Sequence, residues 1–378
     1  MSDYATPIDL LRPGLVRFGA GQIRHLAADL AERGARRVLV VADAFNAARV
    51  DVLGIKPAEV FGAVEPEPGL ATLEALLAAA RRLAPDAVVG FGGGSAMDCA
   101  KLAAVLAGDD RPLAAIAGKD RAPPRACLLV QVPTTAGTGS EAGTRALVTD
   151  PATLAKIAVE SRHMLADVAV IDPAMTASLP PAVTAATGVD ALAHCTEAFT
   201  SRRAHPLIDA YALEGIRLVG RFLPRAVANG ADAEARAAMA LASFYGGVCL
   251  GPVNTTAGHA LAYPLGTRHD LPHGLANALI FPHVLAANAA AVPEKTALVA
   301  EALGFGRSGR PLEAAAVLDG AAAFCRGLGL AMRLSDHGVP ETDLPAMAAD
   351  AHAIRRLLDN NPRDLSVGEI EAIYRDAY

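Results

Sequence analysis

The chain contains no tryptophan, and aromatic residues make up only 4% of it. Its core must therefore be built mainly from aliphatic side chains, among which alanine and leucine dominate. Charged residues are scarce as well, at 20% against 52% hydrophobic residues. A chain with so little charge buries a core readily, so the composition excludes large-scale disorder.

The chain also lacks the usual signals of nucleic-acid binding, secretion and membrane insertion. Acidic and basic residues are interspersed, the formal net charge is −6, and no basic stripe offers a surface for phosphates. The five cysteines are scattered without a CxxC pair, which indicates reduced thiols in a cytoplasmic protein. We expect no signal peptide, because the opening residues carry acids and prolines, and no bilayer span, because the apolar runs are short or interrupted.

A chain of 378 residues exceeds one ordinary hydrophobic core, so two domains are expected. Up to about residue 180, short β-rich runs alternate with helical stretches, which predicts an α/β domain with a doubly wound, mostly parallel sheet. Helical stretches follow with few strand signals, which predicts an all-α domain. Prolines cluster near residues 173–181, so we divide the chain into 1–178 and 179–378. The predicted strands are 38–41, 87–89, 128–132 and 168–171, and the predicted helices are 70–83, 181–200, 206–229, 232–250 and 311–328.

Two segments rich in glycine and small residues follow predicted strands. GFGGGSAMDCAK (90–101) provides glycines that let a phosphate approach the backbone, and a helix whose first amides point at the anion. Ser95 opens that helix and can serve as its N-cap. PTTAGTGSE (133–141) adds hydroxyls at a second strand end. The first segment alone could be a tight structural turn. Two such loops where doubly wound sheets bind ligands favour a dinucleotide.

Asp43, at the end of the strand VLVVAD, allows two interpretations. Its carboxylate can accept hydrogen bonds from the adenosine ribose hydroxyls and would repel a 2′-phosphate, which favours NAD over NADP. It can equally cap the helix that follows. Both interpretations stay open at this point.

Four possible metal ligands lie in the second half of the chain. Asp190 and His194 are four residues apart in a predicted helix and therefore share one of its faces. His259 and His273 follow in the segments GHALAYPLG and HDLPHGLANAL. One carboxylate and three imidazoles can bind a divalent metal in a tetrahedral-like site, with an open position for a substrate oxygen. Singly, an Asp-x3-His pair is more often a surface feature and His259 a core or capping residue, but the four together favour a metal centre.

Taken together, these motifs resemble the iron-containing alcohol dehydrogenases. GGGSAMDCAK, PTTAGTGSEA, the Asp190-x3-His194 helix, GHALAYPLG, LPHGLANALIFPH and the closing NPRDLSVGEIEAIYRDAY occur in the family's order over essentially the whole chain. The resemblance implies an N-terminal Rossmann-like domain, a C-terminal helical metal-binding domain and a cleft between them. It also implies NAD, Fe²⁺ or Zn²⁺, and hydride transfer to a metal-bound carbonyl of an aldehyde or ketone. Family members are commonly dimers or larger, and LVRFGAG (15–21) resembles a strand near their dimer contact, so a homodimer or higher homo-oligomer is expected.

The resemblance assigns roles to individual residues. The residues expected to bind the cofactor are Gly93, Gly94 and Ser95 at the pyrophosphate, Asp98 near the nicotinamide, Thr134, Thr135 and Thr138 along the cofactor, Lys156 at its ribose, and Asp43 at the adenosine ribose. The expected metal ligands are Asp190, His194, His259 and His273.

The sequence departs from the family pattern in places that concern the chemistry. Tyr263 stands where members often carry a second histidine, four residues after the third ligand. Tyr263, the cofactor ribose or water could then relay the proton. Glu67 replaces the family's asparagine, and IRRLLDNNPR replaces the usual cysteine- or threonine-containing segment before NPR.

Three arginines bear on the substrate. Arg145 stands where the family places a small, apolar or amide side chain beside the substrate pocket, and Arg355 and Arg356 precede NPR. Guanidinium groups there suit a carboxylate, sulfonate or phosphonate, which predicts a small anionic aldehyde or oxo acid. Together with Asp98 and Tyr263, Arg145 is a candidate catalytic residue. The alternative is that the arginines are solvated or paired with acids such as Asp359.

Three other functions fit the sequence less well. A maleylacetate reductase-like enzyme often has asparagine in place of Asp190, so the intact ligand set favours a metal-dependent enzyme. A dehydroquinate synthase-like lyase has a different first ligand and many phosphate-binding basic residues. A non-catalytic metal- or nucleotide-binding protein would have no need of the complete ligand set.

Overall fold

The structure is a computed structural model that describes residues 4–153, 155–307 and 309–378. These residues form two compact units. The sheet unit comprises Leu10–Thr135 and Gly139–Ser178. The helical unit comprises Leu179–Tyr378, the described residues up to Asp9, and the short segment Ala136–Thr138. The predicted fold class is confirmed, while the division of the chain into domains 1–178 and 179–378 stays a prediction.

A parallel six-stranded sheet forms the centre of the sheet unit. Strands of this unit are β1 (Leu15–Phe18), β2 (Val38–Ala42), β3 (Glu59–Phe61), β4 (Ala87–Gly92), β5 (Gly118–Lys119), β6 (Leu128–Pro133), β7 (Arg145–Asp150), β8 (Ala155–Glu160) and β9 (Val168–Ile171). The order of the large sheet is β1-β9-β6-β4-β2-β3. Strands β2, β4 and β9 are buried throughout, as expected where helices cover both faces of a parallel sheet.

Helices flank this sheet and make up most of the helical unit. Those of the sheet unit are α1 (Leu26–Glu32), α2 (Ala44–Ala47), α3 (Leu70–Leu83), α4 (Gly94–Leu106) and α5 (Leu113–Ile116). Those of the helical unit are α6 (Pro181–Thr200), α7 (Pro206–Ala228), α8 (Ala233–Leu250), α9 (Ala257–His269), α10 (His273–Asn288), α11 (Pro293–Ala302), α12 (Ala314–Gly327), α13 (Leu344–Ala353), α14 (Arg355–Leu358) and α15 (Val367–Asp376). Among the described residues, every helix is too short or too polar to traverse a bilayer.

The predicted strands are all present, and β9, α3 and α6 have the predicted bounds. The antiparallel hairpin of β7 and β8, which forms a small sheet with β5, was not predicted. Its strands carry charged residues at or near both ends, and no Asn-Gly or Asp-Gly pair marks its turn.

The start of α4 differs from the prediction. Gly93 is its N-cap residue, with extended backbone angles, and the helix begins at Gly94. Ser95 is therefore already inside the first turn, and the prediction that it caps the helix was wrong. Its hydroxyl oxygen instead accepts a hydrogen bond from the backbone N–H of Glu67 at 3.3 Å.

The core of the helical unit is built on α6, which packs against α7, α8 and α10. Small residues allow this close packing. A Cβ atom at Gly215 of α7 would lie 2.5 Å from the sulfur of Cys195 on α6. Alanine at that position would therefore force the two helices apart. Because α6 lies at the centre of the unit, its polar face is held in a fixed, buried position.

Candidate metal centre and cofactor loops

Helices α6, α9 and α10 bring the four predicted metal ligands together. The candidate ligand atoms of Asp190, His194, His259 and His273 all lie within 4.8 Å of one another. From Oδ1 of Asp190, the Nε2 atoms of the three histidines are 3.9, 3.5 and 3.7 Å away, in sequence order. Asp190, His194 and His259 are buried, whereas the side chain of His273, at the start of α10, is 24% exposed. Three of the four candidate ligands are therefore buried, and the side at His273, the most accessible of the four, is called the open side of the centre.

Glu197 supports the centre from behind and was missed by the sequence analysis. It lies on α6, three residues after His194, and its side chain is buried. Its Oε1 is 2.6 Å from Nδ1 of His259. Its Oε2 accepts hydrogen bonds from the backbone N–H and the hydroxyl of Thr256 at 2.6 and 3.0 Å, and from the backbone N–H of His259 at 3.3 Å. A carboxylate in this position directs the other ring nitrogen of the histidine towards a metal.

Gly258 makes this contact possible. A Cβ atom there would lie 2.6 Å from Oε1 of Glu197. Any larger residue would push the carboxylate away from His259. The GHALAYPLG segment therefore needs glycine next to its histidine.

The carbonyl oxygen of Gly137 lies 3.2 Å from Nδ1 of His194. If Nδ1–H donates to this carbonyl, Nε2, which faces Asp190, carries the free electron pair. Gly137 belongs to the segment Ala136–Thr138, which packs with the helical unit.

The electrostatics of the cluster favour a positive charge at its centre. Burial raises the pKa of the Asp190 carboxyl, but the surrounding histidines outweigh burial and hold it below its usual range. Burial lowers the pKa of His194 to about 4. Burial also lowers that of His259, but Glu197 and Asp190 outweigh it and raise the pKa of His259 to about 10. Two buried carboxylates thus need a cation, either a proton or a metal.

Asn277, on α10, reinforces this conclusion and was also missed. Its amide nitrogen donates to Oδ1 of Asp190 at 2.8 Å and lies 3.2 and 3.1 Å from Nε2 of His259 and His273. Its amide oxygen is buried and has no hydrogen-bond partner among the described residues. The amide nitrogen of Asn277 therefore lies between the carboxylate of Asp190 and the Nε2 atoms of His259 and His273.

The residues present fit a divalent metal ion. A tetrahedral site with bonds of about 2.1 Å separates its ligand atoms by about 3.4 Å. The separations of 3.5 to 3.9 Å from Asp190 come close to this value. One carboxylate and three imidazoles suit both Fe²⁺ and Zn²⁺.

Tyr263 lies next to His273, and Arg356 contacts Tyr263. The ring of Tyr263, one turn after His259 on α9, lies 5.9 Å from the ring of His273 between centroids. The guanidinium carbon of Arg356 lies 5.5 Å from the Tyr263 ring centroid, and Nη2 donates to the tyrosine hydroxyl at 3.4 Å. The predicted catalytic role of Tyr263 stays a prediction.

In the sheet unit, the glycine-rich turn meets its predicted neighbours at the carboxyl ends of β2, β4 and β6. The side chain of Asn46 donates to Oδ2 of Asp43 at 2.5 Å and to the hydroxyl of Thr134 at 3.2 Å. Asp43 also caps α2, since Oδ1 accepts from the backbone N–H of Asn46 at 2.9 Å. A Cβ atom at Gly93 would contact Thr135 at 3.4 Å. Thr138 packs with the helical unit.

Asp98 and Lys156 have internal partners in the sheet unit. The carboxylate of Asp98 accepts hydrogen bonds from Nζ of Lys101 at 3.2 Å, from the hydroxyl of Ser140 at 2.5 Å and from the backbone N–H of Leu147 at 3.0 Å. These contacts fix the second loop and β7 against α4. Lys156 donates to Glu67 and, at 2.6 Å, to the hydroxyl of Thr149. The cofactor roles of Asp98 and Lys156 remain predictions.

Glu141 is a buried acid in the second loop that the sequence analysis did not single out. Burial raises the pKa of its carboxyl to about 7. Its Oε2 has no hydrogen-bond partner among the described residues. Lys101 is also buried, and burial lowers the pKa of its ammonium group.

The three arginines of the substrate hypothesis differ in their surroundings. Arg145 faces Glu160 across the β7–β8 hairpin, with Nη2 2.7 Å from Oε2. Arg355 pairs with Asp359 one turn later. Arg356 contacts Tyr263 instead.

A parallel sheet with a glycine-rich turn at its strand ends, together with a buried carboxylate–trihistidine cluster, defines the class of metal-dependent, dinucleotide-linked oxidoreductases. Comparison with known proteins narrows this class. Residues 13–173 match the family described as iron-containing alcohol dehydrogenase, and residues 184–378 match the C-terminal part of the Fe-containing alcohol dehydrogenase family.

Individual relatives agree over nearly the whole chain. The chain is 37% identical to long-chain-alcohol dehydrogenase 1 of Geobacillus thermodenitrificans, over 97% of this chain and 95% of that protein. It is 38% identical to sulfoacetaldehyde reductase of Bilophila wadsworthia, over 83% of this chain and 82% of that protein. The crystal structure of a 1,3-propanediol oxidoreductase is similar with a TM-score of 0.90 and 36% identity, over 99% of this chain and 100% of that one.

The chain therefore belongs to the iron-containing alcohol dehydrogenase family. Members of this family use NAD and Fe²⁺. The protein is an NAD-dependent, metal-containing alcohol dehydrogenase, as the resemblance predicted.

Proposed function

We propose that this enzyme reduces a small anionic aldehyde or oxo acid to the corresponding alcohol, with NADH as the cofactor. The observation that carries the proposal is the open side of the carboxylate–trihistidine cluster at His273, which is followed directly by Tyr263 and the guanidinium of Arg356. The name of one relative, sulfoacetaldehyde reductase, is consistent with this substrate class.

The proposed metal ligands are Asp190, His194, His259 and His273. When bound, the metal supplies the Lewis acidity that polarises a carbonyl, and NADH supplies the hydride. The protein's own contribution begins with the histidine tautomers. Glu197 accepts a hydrogen bond from Nδ1–H of His259, and the carbonyl of Gly137 accepts one from Nδ1–H of His194. In both histidines this leaves Nε2 as the ligand atom.

Asn277 orients the carboxylate of Asp190, because its amide nitrogen donates to Oδ1 and lies between His259 and His273. Tyr263 is the proposed proton donor to the substrate oxygen, because its ring lies 5.9 Å from that of His273 between centroids. Arg356 Nη2 donates a hydrogen bond to the tyrosine hydroxyl at 3.4 Å, which helps to hold that hydroxyl in position.

For the cofactor, we propose that the amides at Gly93, Gly94 and Ser95 bind the pyrophosphate. The first turn of α4 begins there, so its free N–H groups and helix dipole favour an anion. Asp43 is proposed to prefer NADH over NADPH, because a 2′-phosphate beside this carboxylate would be repelled. Asp98, Thr134, Thr135, Thr138 and Lys156 are retained as proposed cofactor residues.

We further propose a cytoplasmic homodimer or larger homo-oligomer. The five cysteines are free and buried, which suits a reducing compartment. Strand β1 lies at the edge of the large sheet, and Phe18 at its end is 39% exposed. Such an edge can pair with a second copy. Light scattering at micromolar concentration should give at least twice the monomer mass, and a monomer mass would contradict the proposal.

The substrate class is tested by following NADH oxidation with pairs of aldehydes of equal size, one anionic and one neutral. We expect kcat/KM to be about tenfold to a hundredfold higher for the anionic member, as one charge-assisted contact provides. Equal values, or a preference for the neutral aldehyde, would refute the proposed substrate class but not the dehydrogenase activity.

A further inference from the structure

We infer that Arg356 is the anion-binding residue of the substrate site and that it takes the carboxylate or sulfonate of a short aldehyde, with Tyr263 holding its guanidinium in place. This inference rests on the proposed function, because it concerns the same site and names the residue that selects the substrate. Arg145 faces Glu160 across the β7–β8 hairpin and is not the proposed residue.

The position of Arg356 follows from a chain of contacts that starts at the metal centre. His273 is the least buried of the four candidate ligands. Tyr263 lies against its ring, and Arg356 lies over the ring of Tyr263. All three residues belong to the helical unit. An anionic group held by Arg356 would therefore be one aromatic ring away from the open side of the centre.

The charge of Arg356 distinguishes it from its neighbours. Arg355, on the same short helix, pairs with Asp359, and Arg145 pairs with Glu160. Within the part of the chain that the structure describes, no carboxylate lies within ion-pair distance of Arg356, and the side chain is exposed. A guanidinium has five N–H donors, of which the Tyr263 hydroxyl engages one. Most of its donors thus remain for a ligand.

The shape of the group favours a particular ligand chemistry. A guanidinium presents two parallel N–H bonds that match the paired oxygens of a carboxylate or sulfonate. The face of Tyr263 supports the planar group through a cation–π contact, so less side-chain freedom is lost on binding. A neutral alcohol offers one oxygen and no charge, and it would gain little from this residue.

Arg356→Gln tests the inference, with Arg355→Gln as the matched control. Both changes remove one positive charge from an exposed side chain of α14, and only the first removes the group over Tyr263. For each variant, the ratio of kcat/KM for an anionic aldehyde to that for a neutral aldehyde of equal size is measured. Binding of ethanesulfonate, which has no carbonyl to reduce, to the metal-loaded enzyme is measured in parallel by calorimetry.

We expect Arg356→Gln to lower the substrate ratio and the ethanesulfonate affinity by about tenfold to a hundredfold, the effect of losing a charge-assisted hydrogen bond. Arg356→Lys should keep part of both, because it keeps the charge without the fork. Arg355→Gln should leave both near the unmodified values.

Two results would overturn the inference: an unchanged ethanesulfonate affinity in Arg356→Gln, or equal losses in Arg356→Gln and Arg355→Gln. The proposed function fails separately, if the unmodified enzyme does not prefer anionic aldehydes. In that case, ethanesulfonate binding that depends on Arg356 but not on Arg355 would still establish the anion site.

Discussion

Replacing Glu197 by glutamine should weaken metal binding without breaking the fold. In the native arrangement both carboxylate oxygens are acceptors: Oε1 faces Nδ1 of His259, and Oε2 accepts from two backbone N–H groups and the Thr256 hydroxyl. Glutamine has one oxygen and one NH2 group. Its NH2 group must therefore face either Nδ1 of His259 or the N–H and hydroxyl donors that surround Oε2 in the native protein. If the NH2 group faces His259, the imidazole proton moves to Nε2, the atom proposed to bind the metal.

Loss of such a supporting contact typically lowers metal affinity by about 10- to 100-fold, or about 1.4 to 2.7 kcal/mol. A second effect also lowers the metal affinity, because glutamine removes one of the two buried negative charges around the site. Glu197→Asp keeps the charge but shortens the side chain, and it should retain part of the affinity.

Metal affinity is best measured by competition with a chromophoric chelator, which does not depend on turnover. Unfolding of the metal-free protein is followed in parallel. Glu214→Gln is the control, since Glu214 is a half-exposed residue of α7 that lies 3.8 Å from Arg217. Native metal affinity in Glu197→Gln, or a loss fully explained by its unfolded fraction, would refute the reasoning.

Three further predictions concern other parts of the protein. His273→Ala should remove bound metal and activity but preserve the helical circular dichroism; full metal content by elemental analysis would count against the site. Asp43→Gly should narrow the preference for NADH over NADPH by about tenfold, because it removes the repulsion of a 2′-phosphate. An unchanged ratio of the steady-state rates with the two cofactors would contradict this. Glu141→Gln should stabilise the protein more at pH 8 than at pH 5. The folded carboxyl keeps its proton up to a pKa of about 7 whereas the unfolded one loses it near 4.5, so native stability falls as pH rises between these values. The glutamine variant should escape this loss, worth about 3 kcal/mol. Thermal melts with parallel pH profiles for both proteins would contradict the prediction.

Much of the fold was predictable because its strongest signals are local. The β2, β4 and β9 runs are continuously apolar, as strands covered on both faces must be, and α3 and α6 show a clear helical period. The start of α4 was less predictable. Gly93 adopts the extended capping conformation itself, so Ser95 was not needed as a cap.

The candidate metal ligands could be found from residue type and motif, but their supporting residues could not. Glu197 completes a D-x3-H-x2-E pattern on one face of α6, and this spacing was a usable signal. Asn277 gave a weaker one, four residues after His273. Their partners lie 62 and 87 residues away in sequence, so only the packing of α6, α9 and α10 reveals what they do. The partner of Arg145 depended likewise on an unpredicted hairpin.

The segment Ala136–Thr138 has a consequence for any attempt to divide or recombine this protein. It lies in the middle of the sheet unit's sequence, yet it packs with the helical unit and places the Gly137 carbonyl against His194. A fragment that begins at Leu179 would carry all four candidate ligands and still lack this carbonyl. In a chimera that joins the N-terminal half of one relative to the C-terminal half of another, these three residues would come from the wrong parent. Exchange of halves should therefore succeed more often when the 136–138 tripeptide travels with the helices that it supports.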